Sequence, residues 1–150
     1  MGNTKATKYY SEKDYGFEEF GKLWSKSNEP EAVRVGIVSF EKHDGDEDLS
    51  VADIAMFHEF GKGNNPERPF MRLTFIKNKN QIIKMARKLL LATVSDGMDK
   101  AVALGRLGQF LKDKMVKTIR DGVPPPNQRP NKTLIDTGQL INSIDWELDE

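Results

Sequence analysis

Two runs of apolar residues at spacings of three and four dominate the chain. Phe70, Leu73, Phe75, Ile76, Ile82, Ile83, Ala86, Leu89, Leu90 and Val94 describe a long amphipathic helix that begins near Pro69, with residues 78–81 as its weak point. Ser95-Asp96-Gly97 interrupts the pattern, and Leu104, Leu107, Leu111, Met115 and Ile119 then form the stripe of a second helix. Two shorter stretches alternate with period two instead. Residues 33–40 are rich in β-branched side chains and make the best strand, while Ile144, Trp146 and Leu148 oppose Asp145, Glu147 and Asp149 in a strand with one buried face. These two strands are expected to pair. The expected fold class is α+β: a small antiparallel sheet packed against two long amphipathic helices, with an extended Pro-rich loop.

The residues between these elements act as punctuation. Ser50 and Asp53 have the spacing of a capping box, so a short helix carrying Ile54, Ala55, Phe57 and His58 is expected to end at Gly61, after an acidic loop over residues 43–50. Gly63-Asn64-Asn65-Pro66 reads as a turn, and Pro69 suits the first turn of the long helix because its missing amide proton would have no helical partner there. Gly122 and the run Val123-Pro124-Pro125-Pro126 stop the second helix and open an excursion to Thr133. A loop-to-helix turn follows, with Asp136 or Thr137 as N-cap. Near the start, Phe17, Phe20, Leu23 and Trp24 have the spacing of a short amphipathic turn, interrupted by Gly21. Residues 1–14 are polar and without period, an N-terminal arm ahead of one domain over residues 15–150.

Composition narrows the function classes. With 150 residues, 37% hydrophobic and 31% charged, the chain is expected to be one globular domain with a modest core. Lys plus Arg equals Asp plus Glu at 23 each, so no net field draws it to nucleic acid or to an anionic membrane. The absence of cysteine removes disulfides, thiolate nucleophiles and Cys-ligated metal sites. Its apolar runs are far too short for a membrane span, and its polar start does not resemble a secretion signal, which points to the cytosol at synthesis.

Several local patterns invite a chemical reading, and context weakens each. Asp136-Thr137-Gly138 behind Leu134-Ile135 matches the aspartic-protease loop, yet that chemistry needs further strands and a flap, and only 12 residues follow Gly138. His58-Glu59 begins like a zinc-enzyme helix, but Lys62 stands where the second histidine belongs and His43 is the chain's other histidine. Asp44, Asp46, Glu47 and Asp48 lack the glycine and late glutamate of a calcium loop. Gly61-Lys62-Gly63 has neither phosphate-loop nor dinucleotide spacing. No catalytic residue, metal or cofactor is expected.

Charge is segregated along the chain although it cancels overall. Asp44, Asp46, Glu47, Asp48, Asp53 and Glu59 face the single Lys42, whereas Arg68, Arg72, Lys77, Lys79, Lys84, Arg87 and Lys88 follow, and the tail after Asp136 is acidic. The segregation reads either as solvated faces or as opposite patches of protomers that meet head to tail in a closed ring.

Four blocks in order carry a resemblance: Val35-Gly36-Ile37, the stretch from Val51 through His58-Glu59-Phe60-Gly61, the stretch Pro66-Glu67-Arg68-Pro69-Phe70-Met71-Arg72, and residues 134–144 with Asp136-Thr137-Gly138-Gln139-Leu140. In this order and separation the chain resembles the neck and tail-completion proteins of tailed bacteriophages, over residues 33–148. The acidic insert after Phe40 and the Tyr-rich start depart from that pattern. The resemblance implies a non-catalytic virion protein made in the host cytoplasm and found in the neck or tail, forming a ring with itself as a tail-completion or head-tail joining subunit. Head-tail connector proteins and tail tube or tail terminator proteins would be its partners, with DNA passing through the lumen unbound and no membrane involved. A tail terminator capping the tube is the alternative within the class, and a small non-catalytic binding module is the alternative outside it. Subunit-interface candidates are Phe57, Glu59, Phe60, Arg68, Pro69, Phe70, Arg72, Pro124, Pro125, Pro126, Thr137, Gln139 and Leu140, because aromatics, arginine and stiff proline loops suit subunit contacts. Phe57, Phe60 and Phe70 could equally close the domain's own core.

Overall fold

The computed structural model describes residues 30, 32–37, 42–43, 46–126 and 138–149. The expected N-terminal arm, the turn around Phe17 to Trp24, the end of the first strand, the excursion beyond Pro126, and Asp136 with Thr137 lie outside the described residues. Within them the order is β1 (Ala32–Ile37), β2 (Lys42–His43), β3 (Asp46–Ser50), α1 (Val51–Phe60), α2 (Phe70–Ser95), α3 (Lys100–Arg120), α4 (Gln139–Asn142) and β4 (Ile144–Asp149). The expected α+β class is what is observed, with the sheet lying on the helical pair chiefly through α3.

The two alternating stretches do pair. β1 and β4 run antiparallel in a register that sets Val33 against Leu148, Val35 against Trp146 and Ile37 against Ile144, so the apolar positions of both strands fall on one face. That face rests on α3. On the other face Arg34 reaches both Glu147 and Asp149, a cross-strand pairing that offsets part of the acidic tail. Lys112 of α3 meets the Asp145 carboxylate at 3.0 Å from the side.

Where an acidic loop was expected, the chain forms the hairpin β2–β3 instead. Strand pairing is made by backbone amides and carbonyls, which every residue but proline supplies, so a charged stretch can form it. β3 runs directly into α1 through the expected capping box. The Ser50 hydroxyl accepts from the Asp53 amide at 3.1 Å, and the Asp53 carboxylate accepts from the Ser50 amide at 3.0 Å. The Ser50 hydroxyl also donates to the Asp53 carboxylate at 2.6 Å, and together with the Ser50 amide it holds the Asp53 carboxyl below its ordinary pKa, the hydroxyl contributing most.

α2 is unbroken across its expected weak point. Asn78 donates back to the Thr74 carbonyl within the helix at 2.8 Å, and Gln81 accepts from Lys114, which ties α2 to α3. α3 passes close beneath the sheet at two glycines. A Cβ on Gly108 would lie 2.8 Å from Trp146 and from Val33, and one on Gly105 would lie 3.0 Å from Trp146. The indole therefore lies directly on helix backbone, its N–H donating to Gln109 at 3.2 Å. α4 is a single turn whose N-cap is Gly138 with φ of 70°, which corrects the expected Asp136 or Thr137 cap.

The core sits at one end of the helical hairpin. Val51 and Ala55 of α1, Phe70 at the start of α2, Met115 and Ile119 near the end of α3, then Val123, Leu140 and Ile144, form one buried cluster. Phe70 and Ile144 are completely enclosed. Thr74, equally enclosed, places its hydroxyl on the Phe70 carbonyl at 2.7 Å, so the core holds no idle donor there. At the opposite end, where α2 finishes and α3 begins, only Leu89 and Ala103 are buried apolar residues.

Candidate interaction surface

The corner between α1 and α2 gathers most of the expected contact residues. α1 ends at Gly61, whose φ of 74° and tight approach to the Asn65 carbonyl and Glu67 amide exclude a side chain. Residues 62–65 then fold back, with reciprocal bonds between Lys62 and Asn65 of 3.2 and 3.0 Å. The Arg68 amide donates to the His58 carbonyl at 2.6 Å, returning the chain alongside α1 just before α2 begins.

Pro69 is the N-cap of α2, and proline has no side chain that can accept from the helix's first amides. Glu59 supplies the missing acceptor from α1. Its carboxylate, almost wholly buried, accepts from the Met71 amide at 2.9 Å and the Arg72 amide at 3.1 Å. Its negative charge also meets the positive end of the α2 dipole. Arg72 neutralises the same carboxylate through Nε at 3.0 Å, while its Nη2 donates to the Glu59 carbonyl and to Glu67 at 3.0 Å. The two carboxylate bonds hold the Arg72 guanidinium above its ordinary pKa, Glu59 contributing most. The half-exposed guanidinium also lies 5.3 Å from the centre of the Phe60 ring.

Arg68 is the second tie. It is 6% exposed, and it donates from Nε to the Pro125 carbonyl at 2.8 Å and from Nη2 to the Pro126 carbonyl at 3.4 Å. Proline carbonyls remain acceptors although the residue has no amide proton, so a guanidinium fork can grip a proline run. The Arg68 tie anchors the near end of the Pro-rich stretch to the α1–α2 corner. His58, beside it, has its pKa lowered, first by burial and then by the Arg68 charge.

The candidates therefore separate into two groups. Glu59, Arg68, Phe70 and Leu140 face into the chain and build the fold. Phe60 is 62% exposed, and Arg72, Pro124, Pro125 and Pro126 also face outward. Phe57 is half-buried beneath Lys62, whose Nζ lies 3.8 Å from the ring centre; Pro69 and Gln139 are half-buried as well. Thr137 lies outside the described residues. The acidic patch expected around residues 41–59 also shrinks, since Asp53 and Glu59 are engaged as helix caps. The basic side does persist: Arg72, Lys77, Lys79, Lys84, Arg87 and Lys88 are all exposed along α2.

A feature that the spacing analysis missed is the apolar outer face of α2. Ile76 and Leu91 are 73% and 64% exposed, with Phe75, Ile83, Leu90 and Val94 also open. Ile76, Ile83 and Leu90 recur every seven residues, and this second stripe was legible as an apolar arc too wide for one partner helix. Large apolar side chains gathered in the open on one side of a helix mark a contact surface more often than a solvated one. Among the described residues, no group of three or more His, Asp or Glu side chains could hold a metal ion, and no helix is long and apolar enough to cross a membrane.

Compared with known proteins, the chain matches no protein-family model, no curated protein and no solved structure.

Proposed function

We propose that this chain is a structural subunit of a tailed-bacteriophage neck, a ring-forming tail-completion or head-tail joining protein that links the connector to the tail. The resemblance of the four ordered blocks to that family suggests the class, and one observation carries the reading to the molecule. Glu59, Arg68 and Arg72 use their polar groups to stiffen the α1–α2 corner, and Phe60, Arg72 and Pro124 to Pro126 are presented on it without being needed to close the core. A rigid corner presenting an aromatic, an arginine and prolines suits a subunit contact, because little freedom is lost when it docks. The exposed apolar face of α2 supplies further area of the kind that protomer contacts bury.

Native mass spectrometry and negative-stain electron microscopy of the purified full chain, alone and mixed with tail tubes, test the reading. A closed oligomer, or protein bound at the tube end, is the expected result. A monomer at all concentrations that never attaches to tubes or enters particles would overturn it.

A further inference from the structure

The connected end of the α2–α3 hairpin, where α2 finishes and α3 begins, contains an open groove of about 470 Å³. Ile83, Ala86 and Leu90 of α2 form one wall, and Ala103, Leu104 and Leu107 of α3 the other. The lining is almost entirely apolar, and the closed core lies at the other end of the hairpin. Arg87 stands at its wall with Lys84 and Lys88 exposed beside it, and α2 carries no acidic residue. Among the described residues these three cations have no carboxylate partner. The groove therefore suits an occupant that is apolar at its tip and acidic beside it.

We propose that the groove receives the α1 corner of a second copy of this chain, with Met56 and Phe60 entering between α2 and α3. The contact rests on the ring-forming reading above and names the two faces that meet. Among the described residues, Met56 and Phe60, at 57% and 62%, are the large apolar side chains exposed outside the helical hairpin. Asp53, Met56 and Phe60 stand three and four positions apart, on one face of α1. The half-exposed Glu67 pairs with the Arg72 guanidinium that lies against the Phe60 ring, so carboxylates bracket the apolar pair at both ends. β3, which includes Asp46, Glu47 and Asp48, runs directly into the same helix.

A second copy is required because the same copy cannot reach. Phe60 lies beside Arg72, and Ala86 in the groove wall is fourteen positions further along α2, about 21 Å away. Other faces of a second copy fit less well. Packing α2 on α2 would set cation against cation. The acidic outer face of β4 is answered by the chain's own cations, Arg34 for Glu147 and Asp149, and Lys112 for Asp145. Corner and groove are different surfaces at the two ends of α2, so their contact repeats head to tail, the arrangement that closes a ring.

Two double variants of the full chain test this. Met56→Asp with Phe60→Asp removes the corner, and Arg87→Glu with Leu90→Asp removes the groove's grip. All four positions are exposed, so the circular dichroism should be unchanged. By native mass spectrometry each variant alone should be a monomer, and an equal mixture should give a heterodimer and nothing larger, joined by the one intact corner and the one intact groove. A mixture that stays monomeric, or a variant that still assembles alone, would overturn the proposal. The absence of native cysteine allows a second measurement that leaves Phe60 in place. Met56→Cys and Leu90→Cys on separate chains, mixed and mildly oxidised, should form a mixed disulfide several-fold faster than Met56→Cys does with Glu147→Cys. Equal rates would sink the contact, and Leu90→Cys linking chiefly to itself would replace it with α2 against α2. If the native chain forms a closed oligomer while these tests fail, the contact alone is wrong; a native chain that is monomeric at all concentrations takes the ring reading with it.

Discussion

Gly108 occupies the one helical position in α3 where a methyl group has no room, with Trp146 and Val33 both 2.8 Å from where it would stand. Gly108→Ala gains about 1 kcal/mol of helix propensity but forces the indole off the backbone, an overpacking cost of about 1–3 kcal/mol. The net expectation is a lowered urea midpoint, and a smaller drop for Gly105→Ala, where the nearest atom is the far edge of the ring at 3.0 Å. His58 supplies a second prediction at this scale. Burial and the nearby Arg68 charge depress its pKa below 6.5, so the unfolded chain takes up a proton more readily than the native one. Stability from this group is complete above pH 6.5 and falls as pH drops below that toward the native pKa. Urea titrations between pH 7 and about pH 5 should show the loss in the native sequence and a flatter profile in His58→Gln.

At the scale of elements, the junction of α1 with α2 shows where local signals succeed and where they stop. The Ser50-Asp53 box was readable because both partners lie within one turn of each other. The cap on α2 was not, since its acceptor comes from Glu59, on a different helix and twelve residues before the amide it serves. Pro69 did carry half of the signal: a helix that starts after a residue with no capping side chain needs an acceptor from elsewhere. Glu59→Ala should cost about 1–3 kcal/mol, as a lost cap plus amides left without partners. Glu59→Gln, which keeps an acceptor oxygen but not the charge facing Arg72, should lose less. Thermal melts of the two variants would check the order. The acidic stretch read as a loop formed a hairpin for a related reason. Its pairing is made by backbone groups with partners across a turn, and those leave no mark of their own on the side-chain pattern.

At the scale of the whole molecule, the exposed residues at the rigid corner are separable from its foundation. Phe60→Asp touches a side chain that is mostly in solvent, so the fold should survive with its circular dichroism and melting temperature nearly unchanged. If the neck-protein reading holds, the same substitution should reduce assembly sharply, as seen by the mass of the oligomer or by binding to tail tubes. An unchanged assembly would remove Phe60 from the contact.

What the sequence determined by itself is what depends on neighbours along the chain: two long helices, two alternating strands, the capping box, the stops at Gly61 and Gly122, and the α+β class they imply. These follow from period and turn chemistry, which act over a few residues. The tertiary structure alone decided which candidates face inward. Glu59 and Arg68 look like surface charges in a linear reading, and only the meeting of α1, α2 and the proline run turns them into a helix cap and a fork on proline carbonyls. It also decided that the core closes one end of the hairpin and leaves an apolar groove at the other. Period fixes which face of a helix is apolar, but only packing in three dimensions decides how much of that face finds a partner.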